Sequence, residues 1–200
     1  CTSMSGSLPL TEFQAINFKS NQRTLVSQAD DGTQFTRQID GQRFSLTLSF
    51  PLKTRAEISP LMAFIIAQRS RKETFTITLP AYIGNAKGTV AGSPTGTASA
   101  GGTSITLGGT RSGSLLAGDL IKFANHDKVY MVVADNSDIT SGALTIEPPL
   151  KSAVSGSAIT FDSVPITVRL MSDMQEFQSD VSDKDGELLF SYEIDVVEAF

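Results

Sequence analysis

The sequence predicts a mainly β protein with one flanking α-helix, in which a small β-barrel interrupts a larger β domain. Three observations carry this. Apolar residues alternate with period two at Phe44–Leu46–Leu48–Phe50 and again at Leu188–Phe190–Tyr192–Ile194. One segment alone has helical spacing. At Gly84 the composition turns abruptly to Gly, Ser and Thr, and the earlier character resumes only after Asp162. The expected division is therefore 1–83 with 163–200 for the discontinuous host domain and 84–162 for the inserted barrel.

Taken in order, Phe13, Ala15, Ile16 and Phe18 mark a first strand and Phe44 to Phe50 a second. Between them SNQRTLVSQADDGTQFTRQIDGQ carries Asp31-Gly32, a tight-hairpin pair, between polar strands with no face to bury in a core of their own. Such a hairpin is either a solvated loop or an arm that packs on a neighbouring subunit. The arm reading singles out Arg23, Leu25, Val26, Phe35 and Arg37. TRAEISPLMAFIIAQRSRK is the helix: Ser59 is expected to cap it with Pro60 first inside, and Leu61, Phe64, Ile65 and Gln68 recur on one side. Arg69, Arg71 and Lys72 suit the C-terminal end of its dipole. ETFTITLP alternates through Phe75, Ile77 and Leu79 and stops at Pro80.

The Gly/Ser-rich stretch from Gly84 resembles a flexible linker in composition. Short runs at Ser104–Leu107 and Leu120–Phe123, followed by VYMVVAD, GALTIEPPL and SAITFD, have instead the spacing of a small barrel. VPITVRLMSD and ELLFSYEIDVV then return as longer strands, with a hairpin turn expected at Lys184-Asp185-Gly186.

Charge and residue inventory exclude several functions. The net charge of -5 disfavours nonspecific capture of nucleic acid, and its distribution is uneven: +3 over 1–83, -1 over 84–162 and -7 over 163–200. No apolar run approaches the ~18 residues of a transmembrane helix, so no membrane insertion is expected. Cys1 is the one cysteine, which rules out a disulfide or a Cys-based zinc site within this sequence. At the head of CTS it suits either a lipidated lipoprotein start or an ordinary processed N-terminus. His126 is the one histidine, and NHD reads as a turn with no G-x-S-x-G elbow anywhere to pair with it. SDVSDKDGELLF fails as a calcium loop, because Val181 and Tyr192 would occupy its first and twelfth positions. Phosphate-binding glycine motifs are absent. No enzyme, metal or cofactor is expected. Tyr82 and Tyr130 are the remaining candidates for stacking on a sugar.

LLAGDLIKFANHDKVYMVVADNSDITSGALTIEPPL carries a resemblance. Its Gly118, Asp119, His126, Lys128, Val129 and Tyr130 correspond to a recurring AGDL…HxKVY pattern, and LTIEPPL to a closing strand and turn. On these residues the chain resembles, over roughly Leu8 to Leu170, the distal tail proteins of long-tailed bacteriophages, most closely those of T-five-like siphophages. The resemblance implies a tail-tube-like β-sandwich or barrel with one flanking helix and an inserted OB-like barrel. It also implies a hexameric ring at the distal end of the virion's tail, joining the tail tube protein to the tip or baseplate hub protein, with DNA only as passing cargo. A channel that must not adsorb DNA favours acidic walls. Asp173, Glu176, Asp180, Asp183, Asp185 and Glu187 are the candidates for that lining. Two other readings stand beside it: a tail-tube or baseplate-hub relative, and a host-glycan-binding module of a tail or cell-surface protein working through the barrel. A polysaccharide hydrolase is a more distant one.

Overall fold

The structure is a computed structural model describing residues 4–9, 11–182, 186 and 188–200, with the side chains of 4, 5 and 180–182 outside the description. Its strands are β1 (Met4–Ser7), β2 (Ala15–Gln28), β3 (Gln34–Thr54), β4 (Thr74–Thr78), β5 (Ala91–Ala98), β6 (Ser104–Ser112), β7 (Leu120–Phe123), β8 (Val129–Val132), β9 (Ala143–Glu147), β10 (Val154–Thr160), β11 (Pro165–Leu170), β12 (Gln178–Ser182) and β13 (Leu188–Glu198). Helix α1 spans Arg55–Ala67 and a single helical turn, α2, spans Ala81–Gly84. A seven-stranded sheet runs β1-β4-β11-β13-β3-β2, with β12 paired to β13; β10-β5-β6-β9-β8-β7 close a separate barrel. The protein is thus mainly β. All six barrel strands lie in sequence between β4 and β11, which are antiparallel neighbours in the sheet.

Period two decides which side of the sheet is wet. Leu46, Leu48 and Phe50 of β3 and Tyr192, Ile194 and Val196 of β13 fall on one face, where Ile58, Leu61 and Ile65 of α1 cover them. The intervening residues Thr47, Ser49, Glu193 and Asp195 form a polar face. There the Thr47 hydroxyl donates to Asp195 Oδ1 (2.6 Å) and the Ser49 hydroxyl to Glu193 Oε2 (2.8 Å).

Helix α1 begins earlier than Ser59-Pro60 suggested. Its cap is Thr54, whose backbone N–H (3.1 Å) and hydroxyl (3.2 Å) both donate to the Glu57 carboxylate, while the Ser59 hydroxyl donates back to Arg55 O at 2.5 Å. Glu57 accepts the Thr54 N–H one turn before Ser59 can cap, and Pro60 lies inside the helix as its sixth residue, where it cannot donate to Ala56 O. Arg69 and Ser70, both at positive φ, end it, which places Arg69, Arg71 and Lys72 beyond the last turn.

The linker-like tract folds because its glycines allow close backbone approach. AGSPTGTA forms β5, a strand missed in sequence, since Gly and Pro argue against one. A Cβ on Gly96 would lie 2.6 Å from the Phe123 ring and 2.9 Å from Ile105 Cγ2, and one on Gly109, at φ +73, would lie 2.4 Å from Ser93 O. Gly96→Val is expected to cost about 1–3 kcal/mol by overpacking, measured by denaturant unfolding of the variant.

VYMV is a continuous apolar run because β8 is buried on both sides. Tyr130 and Val132 enter the barrel core with Ile121 and Phe123, while Val129, with Leu120 of β7, joins the core of the sheet and Met131 packs against it. Barrel and sheet share this seam.

Candidate assembly surfaces

The β2–β3 hairpin leaves the sheet through a bulge. Asn21 pairs with Arg43 but Arg23 with Ile39, so Asp40, Gly41 and Gln42 face the single Gln22; Gly41 there takes φ +106. Beyond it the pairing continues from Arg23↔Ile39 to Gln28↔Gln34 and turns at Ala29–Thr33, where Gly32 takes φ +85 and Asp31 Oδ1 accepts the Thr33 N–H (2.9 Å). About six residues per strand extend the hairpin roughly 20 Å past the sheet. All five arm candidates, Arg23, Leu25, Val26, Phe35 and Arg37, are exposed, Phe35 by 63% and Val26 by 61%.

At the hairpin's root, Lys128 joins the barrel to the sheet. Its ammonium donates to Gln42 O (3.0 Å), to Gln42 Oε1 (2.9 Å) and to Glu198 Oε2, and it lies over the rings of Phe44 (4.9 Å) and Phe200 (4.8 Å). Glu198 is fully buried and also accepts the Val129 N–H (2.8 Å) and the Phe44 N–H (3.2 Å). Burial pushes the Lys128 ammonium below its ordinary value, and the Glu198 carboxylate opposes that shift. Sequence reading reached Lys128 through its motif and missed Glu198 and Gln42. The available signal was an acid at the end of the apolar row Tyr192, Ile194, Val196.

The other motif residues build the barrel. Gly118, at φ +98, forms the turn that lets the buried Asp119 carboxylate accept the N–H groups of Lys87 (2.7 Å), Gly88 (3.4 Å) and Leu116 (2.8 Å). Asp119→Ala strands these donors and is expected to lower stability by about 2–3 kcal/mol, measured by denaturant unfolding.

His126 stands between Asn125 Oδ1 and the Tyr130 hydroxyl, each at 2.7 Å. Asn125 Nδ2 donates to Ala153 O, fixing the amide, and the Tyr130 oxygen accepts the Lys151 N–H (3.0 Å). The consistent assignment is therefore Nδ1–H donating to Asn125 and Nε2 accepting from Tyr130. Burial, then Lys151, lower the His126 pKa below 6.5, while burial pushes the Tyr130 phenol up to about 12. A histidine with a depressed folded pKa contributes stability that is complete above the unfolded value and lost as pH falls below it. Unfolding between pH 7 and 5 should show that loss, and His126→Gln should flatten it. Tyr130 is 0% exposed, so it cannot serve as a sugar-stacking surface; Tyr82, 72% exposed, lies outside the barrel on α2.

Of the acidic candidates, Asp173 and Glu176 are exposed on the segment before β12. Phe177 stacks on Tyr192 (4.2 Å) and the Tyr192 hydroxyl donates to Gln175 Oε1 (2.7 Å), which fixes this segment against the sheet. Asp180 lies in β12 with its side chain outside the description, and Asp183, Asp185 and Glu187 lie outside the described residues, as does Cys1. Glu193 and Asp195, unremarked in sequence, add two exposed carboxylates to the polar face.

Residues 84–164 match the family model described as distal tail protein pb9, B domain. No curated protein matches the chain. The matched residues comprise the whole closed barrel, including Asp119, His126, Lys128 and Tyr130. The barrel thus matches the B domain of a distal tail protein, and this match agrees with a structural part in the distal end of a phage tail.

Proposed function

We propose that the chain assembles into a closed ring, of six copies as the resemblance implies, that joins the tail tube to the tail tip or baseplate hub and lets DNA pass through its centre. In this reading residues 1–83 and 163–200 form the ring and residues 84–162, an OB-like barrel, are carried on it. The carrying observation is the hairpin beyond Gly41, whose Leu25, Val26 and Phe35 are exposed on a two-stranded arm. An isolated two-stranded extension is marginal in water unless it packs on something. The work is scaffolding rather than catalysis. Of the acidic candidates, Asp173, Asp180, Asp183, Asp185 and Glu187 are proposed to face the channel, where carboxylates keep DNA from adhering, while Glu176 lines a groove on the polar face of the sheet.

Copy number separates a distal ring from a tube relative. Quantitative mass spectrometry of purified virions should find six copies per particle beside many of the tube protein; a copy number that scales with tail length would assign the chain to the tube instead. A glycan array should stay silent, and saturable binding abolished by barrel substitutions that preserve folding would favour the host-glycan reading.

A further inference from the structure

The arm has two unlike faces. Residues opposite each other in a hairpin share a face, so Arg23 and Ile39, Leu25 and Arg37, and Ser27 and Phe35 lie together, leaving Thr24, Gln28, Gln34, Thr36, Gln38 and Val26 on the other. The first face is apolar and cationic. Acids of the hairpin sit elsewhere: Asp30 and Asp31 at the tip, and Asp40 in the bulge. Among the described residues neither Arg23 nor Arg37 forms an ion pair.

The polar face of the sheet holds the complement. A groove of about 570 Å³ is lined by Gln14, Ser49, Met174, Glu176, Glu193 and Asp195, among others, with Met174 77% exposed. Glu193 and Asp195 accept hydroxyls from Ser49 and Thr47, which leave their charge uncompensated. Among the described residues no Lys or Arg pairs with Glu176, Glu193 or Asp195, and nearby Lys19 donates to the Thr47 hydroxyl instead (3.4 Å). The groove borders Ser49 of β3, whereas the arm departs at Ile39 of the same strand and runs away from it. Ten residues of strand separate the two by about 30 Å. A chain's arm does not reach its own groove.

We propose that the Arg23–Leu25–Phe35–Arg37 face of the arm docks in the Glu176–Glu193–Asp195 groove of a second copy of this chain. The arginines meet the carboxylates, and Leu25 and Phe35 cover Met174. Unlike patches at opposite ends of one strand make a head-to-tail contact, the kind that closes into a ring when the rotation between copies permits. This rests on the ring reading and specifies how it is built.

Charge reversal tests it in the full-length chain. One variant carries Arg23→Glu and Arg37→Glu, the other Glu176→Arg and Glu193→Arg, all at exposed positions; circular dichroism and thermal unfolding confirm that each folds. Native mass spectrometry should find rings for the unmodified chain, monomers for each variant alone, and rings of alternating composition restored on equimolar mixing. Rings that persist in either variant alone overturn the docking and leave the ring reading intact. Folded variants that stay monomeric when mixed overturn it too, since complementarity then fails to act. An unmodified chain that is monomeric at every concentration, alone and with purified tail tubes, overturns both.

Discussion

Replacing Lys128 with Met is expected to destabilise the folded chain by about 3–5 kcal/mol, the usual cost of removing one partner from a buried ion pair. The Glu198 carboxylate would remain fully buried beside two backbone N–H donors, and Gln42 O and Oε1 would lose their donor. Stability is not all that is expected to change. Lys128 holds the barrel to the root of the arm, so amide hydrogen exchange should accelerate at Phe44 and Val129, the two amides bound to Glu198. Changing Glu198 to Leu in the same chain should recover only part of the loss, because those amides stay unsatisfied. Lys122→Met removes the partner of a half-exposed Asp127 and should cost less than about 1 kcal/mol. A Lys128→Met variant within 1 kcal/mol of the unmodified chain by denaturant unfolding would contradict the role given to this pair.

Shortening the arm is expected to abolish assembly and spare the fold. With residues 24–38 replaced by Asn-Gly, the core pairs Ile16↔Leu48 and Phe18↔Leu46 remain, and every side chain removed is exposed except the half-buried Ala29. The melting temperature should therefore stay within a few degrees, since surface substitutions away from such contacts cost little. Native mass should nevertheless show monomers only. A shortened chain that still forms rings would remove the arm from the assembly, and one that unfolds would show that the arm stabilises its own sheet.

The elements that announce themselves in sequence are those buried on one side. Leu46, Leu48 and Phe50 alternate against Thr47 and Ser49, and the structure puts the first set under α1 and the second on the polar face. The helix was legible from the spacing of Leu61 and Ile65, but its start was misread. Ser59-Pro60 carries a strong local start signal, and the Thr54–Glu57 pair one turn earlier prevails. β5 was illegible for a different reason: Gly96 is in a strand because Phe123 occupies the space a side chain would need, a fact of packing that no period records. Among the functional candidates the motif supplied Lys128 without its partner. Glu198 lies 70 residues away in sequence, and only the fold brings it to the barrel. The arm candidates could be chosen by type, yet their division into an apolar cationic face and a polar one depends on register across the hairpin. The acids beyond Asp180 add nothing to this comparison, whereas Glu193 and Asp195 gain meaning only once their strand is seen beside β3.

The central claim is that this chain builds a ring at the distal end of the tail. Electron microscopy of the concentrated, full-length protein, alone and with purified tail tubes, tests it most directly. The account predicts closed rings of six with an open centre, capping one end of the tube, each arm lying across the neighbouring copy. Particles that remain single copies under both conditions, and leave the tube ends bare, would contradict it.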